Sequence, residues 1–541
     1  MPDENGSPVT VALIEKLLNP LLAKLSNFIP GGGIWMNTQR PEWNDANNAL
    51  VGFGVSVVTL GYINRYLSFL LQEFGHCLEN ASFPISKELA DLLEAQTAIF
   101  TEAPQGPSPA SRMSLMDLLG ESASAYRKTL YTTGLSGEKE ALPGRRIRQY
   151  LEAAQEHVSD SLRHNRRPDG LWHSYNLLLL EGNHEEAHLK PLVVMLEGQV
   201  SILSSGVLQP EEMLTLLRAL RESDLYRPDQ DSYTLYPDKV LPGFLDKNRI
   251  STDAVLEIPL LRGLLDAGDE SLIKPRPDGG YAFNADYHNS SDLAEVLNSQ
   301  ALSKAGFIVD NADREAVLDL FEHTFNHHAF TGRSGTFFAY EGLGSIYWHM
   351  VSKLVLAVQE ALLTSGDDLP EAERDEWITH FRRLREGLGV EKSPEVYGAF
   401  PTDAYSHTPA NAGAQQPGMT GQVKEDILIR LAELGLRIIN GRITFDPVLL
   451  SNDEFLDRAE VLSVVSIDGH PEAIQLPAGT LAYTFCQVPV IYHRGASTPA
   501  TRVTLSSGES RTFSDCSLTA ELSNSIFRRE GTVKRIEIDL L

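Results

Sequence analysis

The chain has 541 residues, more than a single hydrophobic core organises, so two domains are expected, one large and one small. Its formal charge of −27, from 73 acidic and 46 basic residues, argues against nucleic acid and anionic membrane surfaces as partners. A hydrophobic fraction of 42% is that of an ordinary globular protein, and the acidic balance suits a neutral ligand.

Residues 1–10, MPDENGSPVT, lack a basic stretch followed by an apolar one, so no signal peptide is expected and the cytoplasm is the expected compartment. Residues 8–28 repeat apolar positions at three and four, the period of an amphipathic helix, with Pro20 placed to kink it. Pro30-Gly31-Gly32-Gly33 follows, a run that must turn sharply or approach something closely. A polar, aromatic stretch leads to a predicted helix over 49–75. Its first half is apolar on every side, as in an inner helix covered by others, yet too short to span a bilayer. Further helices are predicted at 86–100, 111–132, 144–163, 187–204, 209–222, 291–304, 311–329, 343–364, 369–387 and 422–438. The long loop 226–248, YRPDQDSYTLYPDKVLPGFLDKN, is of a length that is usually functional. From about 441 the period changes to two, and RITFDPVLL, EVLSVVSI, TLAYTFC, VPVIYHR, TRVTLSS and VKRIEIDLL read as strands. The expected architecture is mainly α: a helical catalytic domain over 1–440, then a small antiparallel β-sandwich over 441–541.

Cys77, Cys486 and Cys516 show no CxxC spacing, so neither a disulfide framework nor a zinc site is expected; Cys486 and Cys516 read as free core thiols rather than a pair. His184-Glu185-Glu186-Ala187-His188 fits the HExxH pattern of zinc proteases. That chemistry needs both histidines on one face of a helix, with a third ligand downstream. Here the match is short and falls at the polar start of a predicted helix, so no metal is expected.

Three stretches carry the chemistry. The first is Arg40-Pro41-Glu42-Trp43-Asn44-Asp45-Ala46-Asn47-Asn48. A carboxylic acid beside a Trp is held protonated by desolvation and can protonate a leaving glycosidic oxygen. The blander reading makes Asp45 or Asn44 a helix cap. The second is QQPGMTGQ, 415–422, which leads into GLRIINGRITFDP. Small loop residues opening a helix offer free N–H groups to an anion, or Thr420 simply caps that helix. The third is TGRSGTFFAYEGLGSIYWH, 331–349, dense in glycine and aromatics and carrying Arg333 and Glu341. Glu341 suits a general base on water or a bond to a sugar hydroxyl; a capping role is the alternative.

EWNDANN resembles the DWND-type motif of the inverting glycoside phosphorylases related to cellobiose phosphorylase. The resemblance implies that Asp45 is the general acid and puts Glu42 at the first acidic position of the motif, with Arg40, Trp43 and Asn44 beside the substrate. The second stretch is similar to that family's TGS segment, which a helix, an LG(I/L)R turn and a strand ending in DP follow. This implies that Thr420 and Gly421 bind the attacking phosphate, with His407 and Gln416 nearby; the family's Ser is Gln422 here. The fold implied is an (α/α)6 toroid. In the family the acidic motif lies mid-toroid, whereas here it begins near residue 40, so an upstream half is missing, replaced by other helices or supplied by a partner chain. A homodimer is the prior from the relatives.

The expected function is inverting cleavage of β-glucosidic bonds in oligosaccharides by phosphorolysis. Asp45 acts as the acid, Arg333, Tyr340 and Trp348 line the sugar subsites, inorganic phosphate is the co-substrate and no cofactor is needed. The alternatives are a hydrolase or transglycosylase on β-glucans using Glu341 or Asp403, and a non-catalytic carbohydrate-binding subunit.

Overall fold

The structure, a computed structural model, describes residues 10–37, 50–104, 106, 108–182, 185–238, 244–299, 302, 306–325, 344–365, 369–388, 392–400, 405–408, 413–414, 416–417 and 422–540. Helix is the main element among them. The chain divides into two compact units: Met1–Glu373 with Arg382–Met419, and Arg374–Phe381 with Thr420–Leu541. The second unit thus starts upstream of the expected boundary at 440/441 and takes in the helix Gln422–Glu433.

Most predicted helices of the first unit are present. Pro109–Thr132 opens on a capping box, in which the Ser108 and Ser111 side chains bond each other's backbone N–H groups, with Pro109 in the first turn. Gly144–His164 and Pro210–Glu222 bury one apolar stripe each. The expected helix 49–75 begins later, as Val57–Glu73, with Ser56 capping it through the Thr59 N–H at 3.0 Å. It packs against Gly144–His164 and Leu196–Ser204. A Cβ at Gly61 would lie 2.2 Å from Ser201 Oγ, so the close crossing with Leu196–Ser204 requires glycine there. Tyr62 and Phe69 stay exposed, so it is not covered on all sides.

The expectation of an all-helical first unit is corrected by a five-stranded antiparallel sheet. In order, its strands are Phe28–Ile29, Gly33–Trp35, Gly54–Ser56, Tyr175–Glu181 and Glu186–Pro191. Both faces are covered. Ile29, Val55, Leu178 and Ala187 meet Met113 and Met116 of Pro109–Thr132. Tyr175 and Leu177, pointing the other way, pack with Leu50, Met195 and Tyr236. This two-sided burial covers Tyr175–Leu178, while Leu179 and Leu180 of the same apolar run are exposed. Residues 187–191, expected to be helical, belong to the partner strand Glu186–Pro191; the helix starts only at Leu196, beyond Pro191.

The Pro30–Gly33 run makes the first hairpin turn, with Gly32 N–H donating to Ile29 O at 3.0 Å. Buried side chains pin it. The Asn165 amide reaches Gly31 O and Gly32 O, the Asn176 amide reaches Gly32 O, Ser161 Oγ accepts from Gly31 N–H, and Arg112 donates to Pro30 O.

Residues 250–325 form a module with its own core. Thr252–Glu257, Pro259–Asp266, Ser290–Asn298 and Asn311–Phe325, with the hairpin Ile273–Pro275/Tyr281–Phe283, enclose Val255, Leu261, Leu264, Leu293, Val317 and Phe321.

The second unit holds a five-stranded sheet in the order Thr480–Phe485, Val488–His493, Val533–Asp539, Ala500–Leu505, Ser510–Phe513. The expected all-antiparallel pattern fails at one ladder, because Val488–His493 and Val533–Asp539 run parallel. The helix Ala520–Phe527, which the strand period did not foretell, lies in the connection that brings the last strand in from the opposite end. Its Leu522 and Ile526 join the core of Ile443, Phe445, Val490, Tyr492, Val503 and Ile536. The three cysteines are free, as the sequence suggests.

Candidate functional site

Arg40, Glu42, Trp43, Asn44, Asp45, Arg333, Tyr340, Glu341, Asp403, Thr420 and Gly421 lie outside the described residues. The structure does fix where the ends of their segments are held. Met36 and Gly52 flank the acidic motif and are tied together: Met36 N–H donates to Gly54 O at 2.8 Å and Gly52 N–H to Met36 O at 2.7 Å. The Trp35 indole N–H adds a bond to Gly52 O at 3.0 Å. The motif therefore departs from and returns to one hairpin, Gly33–Trp35 with Gly54–Ser56.

Met36, Leu50 and Phe53 pack in one cluster with Leu235 and Tyr236. Leu235 N–H donates to Ser345 O at 3.1 Å, which brings the end of the glycine-rich stretch to the same place. Ile346–Tyr347 then pairs antiparallel with Tyr405–Thr408, which pairs with Gln416–Pro417. His407 stands opposite Tyr347 on one side and Gln416 on the other. The residues flanking the acidic motif thus join the cluster around Tyr236, and the Leu235–Ser345 bond links that cluster to the small sheet of Ile346–Tyr347, Tyr405–Thr408 and Gln416–Pro417.

Trp348 is the one predicted site residue whose side chain is described, and it is 1% exposed. Its indole N–H donates to Thr408 Oγ1 at 2.7 Å, Tyr397 meets its ring edge-on and the Lys392 ammonium lies 4.8 Å from the ring centre. Through the bond to Thr408 it anchors the end of Tyr405–Thr408.

Beneath this sheet lies a set of charged groups that the sequence analysis did not single out. Arg227 is buried and donates from Nε and Nη2 to the two oxygens of Asp229 at 2.8 and 2.9 Å. Its Nη1 reaches Thr408 O at 2.8 Å and Gly344 O at 3.4 Å. The Arg227 guanidinium holds the Asp229 carboxyl below the usual carboxylate range. Burial would raise the Asp231 carboxyl, but bonds from Tyr226 and Arg221 outweigh it and the group ends below its ordinary value. Burial pushes the Lys392 ammonium down to about 8, with Asp231 and Asp229 pulling the other way; its Nζ donates to the Gln230 carbonyl. Gly344 has φ +64°, and a Cβ there would lie 2.6 Å from Asp238 Oδ1. Glycine thus lets that carboxylate come against the end of the glycine-rich stretch. The sequence signal for Arg227, Asp229, Asp231 and Asp238 was the density of Arg, Asp and Tyr in 226–238.

The protease pattern does not survive. His184 lies outside the described residues, and Glu186–His188 lie in a β-strand rather than in the helix that a zinc protease needs. His188 pairs instead with Glu186 at 3.0 Å. Among the described residues no group of His, Cys, Asp and Glu has metal-holding geometry, and no described helix is long and apolar enough to cross a membrane.

Residues 241–328 match a family model described as GH149 phosphorylase insertion domain 2. The match coincides with the module that encloses its own core over 250–325. It indicates a glycoside phosphorylase, and hence an enzyme. None of the curated proteins matches the chain.

Proposed function

We propose that the enzyme cleaves β-glucosidic bonds of oligosaccharides by phosphorolysis with inversion. Asp45 protonates the leaving oxygen, and phosphate attacks the opposite face of the sugar. Phosphate is held by His407, Gln416, Thr420 and Gly421. Arg40, Glu42, Trp43, Asn44, Arg333 and Tyr340 contact the sugars, and Trp348 supports this surface from below. The observation that supports the reading is that the flanks of the acidic motif pack around Leu235 and Tyr236, and that Leu235 bonds Ser345 at the start of the strand that pairs with the strand of His407. The insertion-domain match supports phosphate as the attacking group, which leaves Glu341 and Asp403 to bind sugar hydroxyls rather than activate water. The helical region is read as a toroid-type catalytic scaffold and the C-terminal unit as a sandwich-type cap.

Proton NMR of the enzyme with a panel of β-linked gluco-oligosaccharides, with and without inorganic phosphate, tests this. An α-anomeric sugar 1-phosphate formed only with phosphate is the expected product. Free reducing sugar in both conditions makes the enzyme a hydrolase. Asp45→Asn should lower turnover by roughly 10²–10⁴-fold and leave the fold intact; turnover near that of the parent removes Asp45 from the role of acid.

A further inference from the structure

We propose that Arg227 is a positioning residue for the phosphate side of the site, an inference that rests on the phosphorolytic reading above. Its guanidinium is buried and makes three kinds of bond at once. Two N–H groups grip Asp229, which balances the charge, and Nη1 meets the carbonyls of Thr408 and Gly344. Thr408 directly follows His407, and Gly344 ends the stretch that carries Glu341. One planar fork therefore sets the spacing between two segments that the fold otherwise joins through the short pairing of Ile346–Tyr347 with His407 and Thr408. The Trp348 N–H on Thr408 Oγ1 holds the same residue from its other side, so the strand that bears His407 is fixed at both backbone and side chain.

A lysine cannot reproduce this. It keeps the charge but offers a single ammonium in place of five donors in a plane, so it cannot grip Asp229 with two bonds and still reach two carbonyls. The strand would then be free to shift by fractions of an ångström, which moves the backbone that carries His407 and loosens the hold on phosphate. Asp229 accepts from Nε and Nη2 and carries the balancing charge, so its part is to aim the guanidinium.

The test compares the parent enzyme with Arg227→Lys and with Arg502→Met, a control that removes an Arg–carboxylate pair with Asp539 in the second unit. Steady-state rates are measured against phosphate and against oligosaccharide separately, and amide hydrogen exchange is followed over 344–349 and 405–408. For Arg227→Lys the KM for phosphate should rise about tenfold or more, with kcat and the KM for oligosaccharide within about threefold of the parent. Exchange in the two segments should accelerate, and Arg502→Met should show neither change. Unchanged phosphate KM together with unchanged exchange overturns the proposal, as does an equal fall in kcat with both KM values intact. If the parent itself forms no sugar phosphate, the phosphorolytic reading fails, and the exchange data alone decide whether Arg227 holds the segments: acceleration confined to them sustains the positioning role, and none removes it.

Discussion

Lys392 shows how a single buried charge writes itself into the pH dependence of the whole protein. Its ammonium is desolvated between Gln230 and the Trp348 ring, and burial outweighs the pull of Asp231 and Asp229, so its pKa falls to about 8. An unfolded lysine titrates at about 10.4. The folded state thus holds this proton less tightly than the unfolded state does. Lys392 weighs against folding wherever it is charged in both states, and that penalty is relieved as pH rises from about 8 toward the unfolded value. Lys392→Met removes the titration and keeps most of the stem. Whatever advantage or deficit the methionine protein has at pH 7, it should lose ground to the parent between pH 8 and pH 10. Urea midpoints at pH 7, 8 and 10 would read this, and a difference that stays flat or moves the other way would show that the amine is not depressed.

At the scale of elements, the sheet of the first unit stands on a few close backbone approaches. Gly33 has φ +150°, and a Cβ there would sit 2.5 Å from the Ser56 carbonyl oxygen, inside the ladder between Gly33–Trp35 and Gly54–Ser56. Gly33→Ala must therefore push that pair of strands apart, at a cost of about 2 kcal/mol or more. Gly120, in the helix Pro109–Thr132, is the contrast: an added methyl meets nothing within 4 Å. Gly120→Ala should stabilise by about 0.5–1 kcal/mol, through helix propensity alone. Thermal unfolding of the two variants should thus move in opposite directions, and a neutral Gly33→Ala would show that the two strands do not need this contact. The same elements explain what the sequence did and did not disclose. Pro109–Thr132, Gly144–His164 and Pro210–Glu222 were legible because each is long and carries one apolar stripe. Phe28–Ile29 and Gly33–Trp35 are too short for any alternation to register, and the two-sided burial of Tyr175–Leu178 erases it. The strands after 441 were legible because they alternate, as Ala500–Leu505 does. Ala520–Phe527 was hidden among them because eight residues give barely two helical turns. For the site, the motifs pointed to the segments, but their meeting place depends on bonds such as Leu235 to Ser345 and Arg227 to Thr408, whose partners are more than 100 residues apart.

At the scale of the molecule, the chain builds separate apolar cores, and the matched insertion domain coincides with one of them. Ile250 to Phe325 close a cluster of their own, pinned at its entry by Asn248, whose side chain bonds both Phe283 N–H and Phe283 O. Inside it, Phe321 is 1% exposed and lies 5.0 Å from the Phe283 ring and 4.7 Å from the Phe325 ring, centre to centre. A module with a closed core opens largely as a unit. Truncating its central ring should therefore lower the free energy of that opening without loosening cores that share no side chains with it. Phe321→Ala removes the ring and its aromatic contacts at a cost of about 3–5 kcal/mol. Amide exchange over 250–325 should accelerate strongly. The amides of Tyr175–Glu181, and those of Val488–His493 in the second unit, should keep the parent's protection. If those strands accelerate to the same extent, the insertion domain is not an independent folding unit and its core is coupled to the rest of the chain. If only 250–325 responds, and phosphate-dependent turnover of short oligosaccharides persists, the module is separable from the chemistry as well as from the other cores.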